Sequence, residues 1–148
     1  MPDGASVEWF RENLKLLTGK PRAILNLLRN SVAEIRALET KNAFKVNLWA
    51  LVVFSELLRH IIVHNSGRTG DRATLLAKVF ADAGLSRSGQ DEFHDFMESF
   101  FGTGEYGNSI VMLEMLVGDS GLGIHRNGLD ELSRYLMAYA HLMSKKID

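Results

Sequence analysis

The chain has 148 residues, of which 46% are apolar and 24% charged, and it has no cysteine. This is the size and composition of a single soluble domain, and it argues against a disordered chain, a coiled coil or a collagen-like repeat. The absence of cysteine excludes a disulfide framework, a thiolate zinc site and a cysteine nucleophile. Seventeen basic and eighteen acidic residues give a formal charge of −1, so no global field recruits nucleic acid. We therefore expect one domain over residues 1–148, located in the cytoplasm.

Apolar residues spaced three and four apart predict helices along most of the chain. The first is expected over 7–17 and ends at Gly19, where a glycine can stop a helix. The second is expected over 21–40, because Pro21 is tolerated in a first turn and the apolar stripe continues for about five turns of 3.6 residues.

The third predicted helix is the most hydrophobic part of the chain. It starts around 42–44, is apolar on most faces up to Val63, and stops at 65–67. Its apolar run is interrupted by Ser55 and Glu56 and is shorter than the ~20 residues that span a bilayer. It should therefore be the central, most enclosed helix of a protein without a membrane partner.

Shorter helices follow over 73–83 and 90–101, and a long closing helix is expected over 129–146. Between them, the segment 110–125 has a glycine-rich turn between two apolar runs, which is typical of a short β-hairpin, although a helix fits almost as well. The predicted fold class is an all-α bundle of about five to six helices with one short β-hairpin near 110–125.

Polar side chains gather at the end of the third helix, where the pattern predicts burial. They are Arg59, His60, His64 and Asn65. Such groups are costly to desolvate, so they need a partner, an opening to solvent or a function. The simpler interpretation is a solvated helix end that stops at Asn65 and Gly67.

This segment also resembles the Arg-x4-His motif of the HEPN superfamily of small all-α proteins, and the residues that carry the resemblance are Arg59, His60, His64, Asn65 and Gly67. Many HEPN proteins are metal-independent endoribonucleases that act as dimers, with two motifs facing each other across a cleft. Others are non-catalytic interaction or nucleotide-binding modules. The resemblance implies an HEPN-like bundle, a homodimer, an RNA substrate and no cofactor. In a toxin or phage-defence system it also implies an antitoxin or other partner protein.

The residue types in the motif suit RNA cleavage. An imidazole exchanges protons near neutral pH, so His64 is the candidate to take a proton from the ribose 2′-hydroxyl or to give one to the leaving oxygen. A guanidinium binds nonbridging phosphate oxygens with a planar fork of donors, which makes Arg59 the candidate to stabilise charge on phosphorus. His60 and Asn65 are expected to orient these two. Five residues rotate a side chain by about 140° along a helix, so the helix end or a second subunit must bring Arg59 and His64 together.

A local basic patch follows the motif. Arg68, Arg72 and Lys78 are the predicted RNA-binding residues, and with Arg59 and the opposing Asp71 they give the segment a net charge of four minus one, or +3. A solvated basic loop has the same composition.

A metal site is the rival interpretation of the motif. Glu56, His60 and His64 are spaced four residues apart and therefore share one helical face. The zinc-protease signature, however, has a glutamate directly after the first histidine, where this chain has Ile61, and beyond Glu56 the next candidate ligand is His125. We therefore predict no metal site.

Overall fold

The computed structural model describes residues 7–116 and 125–147 of the chain. Within these ranges the chain forms seven α-helices and one pair of short strands, which confirms the all-α class with a short β element. The elements are α1 (Val7–Leu16), α2 (Pro21–Ser31), α3 (Ala33–Thr40), α4 (Leu48–Asn65), α5 (Arg72–Ala83), α6 (Asp91–Glu98), β1 (Glu114–Leu116), β2 (His125–Asn127) and α7 (Gly128–Ile147). A 3-10 turn, Gly104–Tyr106, lies between α6 and β1.

The helix predicted over 21–40 is two helices, which raises the number above the expected five to six. They separate at Val32, whose backbone is extended with φ −125° and ψ 103°, a conformation that suits a β-branched side chain. Across this break the Glu39 carboxylate of α3 meets the Arg29 guanidinium of α2. The apolar periodicity runs through position 32 without interruption, so tertiary contacts and not the local pattern explain the difference.

Helix α4 lies at the centre of the bundle, as predicted, and packs against α3, α5 and α7. It begins at Leu48 and not around 42–44, because the Asn47 side chain caps its first turn by accepting a hydrogen bond from the Ala50 N–H at 2.9 Å. Asn42 instead lies in the preceding loop, where its side-chain amide donates to three backbone carbonyl oxygens.

The enclosure of α4 ends before the helix does. Leu58 and Ile61 are its last buried residues, whereas Ile62 is 43% and Val63 59% exposed. The expectation of an enclosed helix up to Val63 is therefore wrong for the last turn. Among the helices of the described ranges, α4 alone has the length and composition to span a membrane, but eight of its residues are buried against the bundle, as in a soluble core helix.

Two apolar clusters hold α4 in place. The larger one joins it to α5, α6 and α7, and its members include Phe54, Val79, Phe93, Phe100 and Leu132. The smaller one joins it to α3 and α7 and consists of Ile35, Leu48, Tyr139 and Met143. Each large apolar side chain buried in this way stabilises the fold by about 1.5 to 3 kcal/mol. The last two turns of α4 thus extend from a firmly packed base.

The C-terminal half departs from the predicted boundaries in two places. Strands β1 and β2 pair antiparallel, with Met115 opposite Arg126, so the β element lies near 110–125 as predicted but extends to 127; the predicted turn at 118–121 lies outside the described residues. Helix α6 ends at Glu98 and not near 101, because Phe101 leaves the helix to form a β-bridge with Ile110. Helix α7 begins and ends within one residue of its predicted bounds.

Candidate active site

The motif lies on the last two turns of α4, where the helix is exposed. Arg59, His60 and His64 are all solvent-accessible, and none of them has an ion pair or hydrogen bond within 7–116 and 125–147 through its side chain. The His60 and His64 rings contact each other, with centroids 4.7 Å apart and planes inclined by 46°. Their spacing of four residues produces this contact.

Four of the exposed side chains of these turns, Arg59, His60, Val63 and His64, share one side of the helix. With 100° per residue, Val63 lies about 40°, His60 about 100° and His64 about 140° around the axis from Arg59. Arg59 and His64 therefore occupy the two margins of one solvent-facing strip, and an apolar side chain lies between them. The structure brings His60 and His64 together but leaves Arg59 on the far side of Val63.

The predicted stop at 65–67 is confirmed, and its geometry explains why the helix ends there. Ser66 and Gly67 both have left-handed backbone angles, with φ 52° and 76°, and the Gly67 N–H donates to the Ile61 carbonyl at 3.1 Å. The Asn65 carbonyl accepts a hydrogen bond from the Arg68 N–H at 3.0 Å. The Asn65 side chain is exposed, and its predicted orienting role stays a prediction.

The three predicted RNA-binding residues differ in their partners. Arg72 forms an ion pair with Glu98 at 3.3 Å, and Lys78 forms one with Asp82 at 3.0 Å. Arg68 is exposed and has no carboxylate partner in the described part of the chain. Two of the four charges in the predicted patch are thus largely neutralised by acids that follow later in the sequence.

The rival metal site is not assembled in the structure. The Glu56 carboxylate forms an ion pair with the Arg22 guanidinium at 3.4 Å, and His125 lies on β2, where it lines a groove of about 570 Å³ beside Tyr135. Over the residues that the structure describes, no three His, Asp or Glu side chains gather as a metal-binding group. His60 and His64 would therefore need a third ligand from elsewhere.

Sequence reasoning missed a segment that lies beside the motif. The chain after α4 is hydrogen-bonded to residues 108–110: the Ile110 N–H donates to the Gly67 carbonyl at 2.8 Å, and the Thr69 N–H donates to the Asn108 carbonyl at 2.9 Å. The 3-10 turn that precedes this segment carries Tyr106, which is 55% exposed. An aromatic residue within a glycine-rich turn is the signal that could have indicated it.

No protein-family model, curated protein or solved structure matches this chain.

Proposed function

We propose that the chain is a metal-independent endoribonuclease of the HEPN type that acts in the cytoplasm as a toxin or phage-defence protein. The observation that carries this proposal is the set of Arg59, His60 and His64 on the exposed end of α4, with the two imidazoles 4.7 Å apart. These groups can supply the base, the acid and the charge stabilisation of metal-independent RNA cleavage, and the described residues leave all three accessible to a substrate.

A simpler explanation for the basic residues at the end of α4 is their favourable interaction with the helix macrodipole. This explanation accounts for only some of them. A cation in the last turn of a helix gains about 0.3 to 1 kcal/mol from the macrodipole, which suits a protonated His64 but not Arg59, which lies before the last turn of α4. The macrodipole gives no such gain to a neutral imidazole, and two charged imidazoles in contact repel each other. A histidine pair at this position is better suited to exchanging a proton than to capping a helix.

In the proposed reaction, one histidine is the base and a second is the acid. Neutral His64 takes the proton of the ribose 2′-hydroxyl, and the 2′-oxygen attacks phosphorus to form a new P–O bond. The bond from phosphorus to the 5′-oxygen breaks, and a protonated histidine, either His60 or His64 of a second subunit, gives its proton to that oxygen. Arg59 binds the nonbridging oxygens as negative charge builds on them. The products are a 2′,3′-cyclic phosphate and a 5′-hydroxyl.

A second copy of the chain completes this arrangement. Val63 exposes apolar surface within this strip and Ile62 exposes apolar surface beside it, and an interface between two α4 ends would bury both. If two such strips face each other about a two-fold axis, Arg59 of one subunit approaches His64 of the other. We expect a homodimer, and a strictly monomeric mass by light scattering across micromolar concentrations would contradict it.

The test is RNA integrity after expression of the intact protein and of four variants, with purified protein then assayed in the presence of a chelator. Cleavage should be present in the intact protein, survive the chelator, and fall by at least about 100-fold in His64→Ala and Arg59→Ala. His141→Ala and Arg87→Ala are the matched controls, because each removes the same residue type from another exposed position, and both should cleave normally.

Two results would overturn the proposal. Cleavage that disappears with the chelator would indicate a metal-dependent reaction. No cleavage by the intact protein, with all variants folded by circular dichroism, would favour the alternative of a non-catalytic interaction or nucleotide-binding module.

A further inference from the structure

Tyr106 is presented on a firmly held turn. It is 55% exposed at the end of Gly104–Tyr106, its N–H donates to the Thr103 carbonyl at 3.1 Å, and its carbonyl accepts from the Ser109 N–H at 2.8 Å. A Cβ atom at Gly102 would lie only 2.7 Å from the Tyr106 carbonyl oxygen, so the turn lies directly on the Gly102 backbone. Because the backbone of this turn is held in place, a partner that binds Tyr106 would immobilise only the side-chain torsions of the tyrosine.

The turn is joined to the chain that leaves the motif. Arg68 forms an antiparallel β-bridge with Ser109, and hydrogen bonds between positions three apart close the turns from Asn65 to Arg68 and from Tyr106 to Ser109. Bridged Cα atoms are about 5 Å apart, and such turns span at most about 7 Å. The Cα atoms of Asn65 and Tyr106 therefore lie at most about 20 Å apart.

The charge beside this turn is available to a ligand. Arg68 is exposed and has no acidic partner in the described ranges, whereas the guanidinium of Arg72 and the ammonium of Lys78 each have one. An exposed aromatic ring beside an uncompensated cation is the combination with which proteins bind single-stranded nucleic acid: the ring stacks on a base and the cation binds a phosphate.

We propose that Tyr106 and Arg68 form a subsite for single-stranded RNA, in which the Tyr106 ring stacks on a base and the Arg68 guanidinium binds a nearby phosphate. This inference rests on the proposed function, because the subsite serves the strand whose scissile phosphate lies at Arg59 and His64. Every base offers a face for stacking, so the subsite contributes affinity with little sequence preference.

The test measures binding separately from cleavage. Fluorescence anisotropy of a short labelled single-stranded RNA is recorded with His64→Ala protein, which keeps the RNA intact, and with the same protein carrying a second change. Tyr106→Ala should weaken binding roughly 5- to 100-fold, and Tyr106→Phe, which keeps the ring, should stay within about twofold. Arg68→Ala should lower the slope of log affinity against log salt by about 0.7, the value for one phosphate contact on a single strand.

Met137→Ala and Arg87→Ala are the controls, because they remove an exposed apolar and an exposed basic side chain from other surfaces. If Tyr106→Ala binds RNA as tightly as Met137→Ala, the subsite is overturned even when the intact protein cleaves RNA. If Tyr106→Ala instead lowers the dimer fraction, the ring is a protein contact and the subsite is likewise overturned. If binding depends on Tyr106 but the intact protein does not cleave RNA, the subsite stands and the proposed catalysis fails.

Discussion

Two polar clusters in this bundle differ in how completely their groups are partnered. In the first, Glu39 is 3% exposed and accepts hydrogen bonds from Arg29, at 2.5 and 2.7 Å, and from the Tyr139 hydroxyl at 2.5 Å. The Arg29 guanidinium also lies 3.9 Å from the centre of the Trp49 ring. In the second, at the end of α4, Arg59 and His64 face solvent and have no ion pair among the described residues.

This difference distinguishes polar groups that are fully partnered inside the fold from polar groups that a ligand can reach. A buried charge is tolerated only when hydrogen bonds replace its hydration, and in the described ranges every buried side-chain nitrogen and oxygen has a partner. The buried cluster thus joins α2, α3, α4 and α7 and has no group left over for a ligand. The side chains of the exposed cluster have no ion pair or hydrogen bond among the described residues, and they are accessible to a ligand.

The largest expected effect is on stability in the buried cluster. Glu39→Ala leaves the Arg29 guanidinium and the Tyr139 hydroxyl without their acceptor, and it should lower the free energy of unfolding by about 3 to 5 kcal/mol. Arg59→Ala and His64→Ala should change it by less than about 0.5 kcal/mol. Urea unfolding measures all three, with Glu34→Ala, an exposed glutamate on the same helix, as the control. A loss as large in Arg59→Ala as in Glu39→Ala would contradict the comparison.

A smaller effect with a defined pH dependence is expected for Tyr139→Phe. Removing the hydroxyl that binds a carboxylate should cost about 1.5 to 3 kcal/mol at neutral pH. Burial, and then the hydrogen bond to Glu39, raise the pKa of the Tyr139 phenol far above its ordinary value of 10.0. Above about pH 10 the unfolded protein ionises this group and the folded protein does not, so parent stability falls by up to about 1.4 kcal/mol per pH unit.

The stability difference between the parent and Tyr139→Phe should therefore narrow as the pH rises above about 10. Tyr106→Phe, which changes an exposed tyrosine, should show no such narrowing. A difference for Tyr139→Phe that stays constant into strong alkali would indicate that the phenol ionises equally in both states.

The sequence predicts those features that depend on neighbouring residues. Helical periodicity locates α4, α5 and α7, and the pattern at 65–67 predicts the helix stop because left-handed turns favour glycine. It fails at Val32, where the helix breaks although the apolar pattern continues, and where α3 packs against both α2 and α7.

The same limit applies to the candidate site. The spacing of His60 and His64 predicts that their rings share a face, and their contact confirms this. The ion pair between Arg72 and Glu98 could not be predicted from the sequence, because it forms only when α5 and α6 pack together. Tyr106 was not predicted as a site residue for a similar reason. Its turn lies near the motif only because Arg68 pairs with Ser109, about forty residues later in the chain.

Within the exposed cluster, the proposed proton transfers predict a bell-shaped dependence of the cleavage rate on pH. The base must be neutral and the acid protonated, so the rate should pass through a maximum and fall about tenfold per pH unit on either side of it. If His60 is the acid, His60→Ala should no longer show the fall in rate at alkaline pH. If the acid is His64 of the second subunit, His60→Ala should keep this fall. His141→Ala should keep the parent profile, whereas a flat profile in the intact protein would remove the acid–base assignment.

The smallest expected effect is on the Tm of an Asp71 variant. Asp71 is exposed, as the motif residues are, but its carboxylate has hydrogen-bond partners, as the buried Glu39 does. Its carboxylate caps α5 by accepting from the N–H groups of Ala73 and Thr74, at 3.2 and 3.0 Å, and from the Thr74 hydroxyl. The Thr74 hydroxyl, and then the Thr74 N–H, lower the pKa of this carboxyl below its ordinary 3.8. Asp71→Ala should lower the Tm by about 2 to 4 °C at neutral pH, as expected for a lost N-cap.

Because the folded pKa of Asp71 is depressed, its stabilisation is complete above about pH 3.8 and declines as the pH falls through the lower folded value. The Tm difference between the parent and Asp71→Ala should therefore shrink in strong acid, and calorimetry over a series of acidic buffers measures it. Asp71→Asn, which keeps an oxygen acceptor without the charge, should retain most of the neutral-pH Tm and show little of this pH dependence. A Tm difference between the parent and Asp71→Ala that persists unchanged in strong acid would mean that the carboxylate charge adds nothing to the cap. In that case a partnered exposed charge would stabilise this fold no more than an unpartnered one.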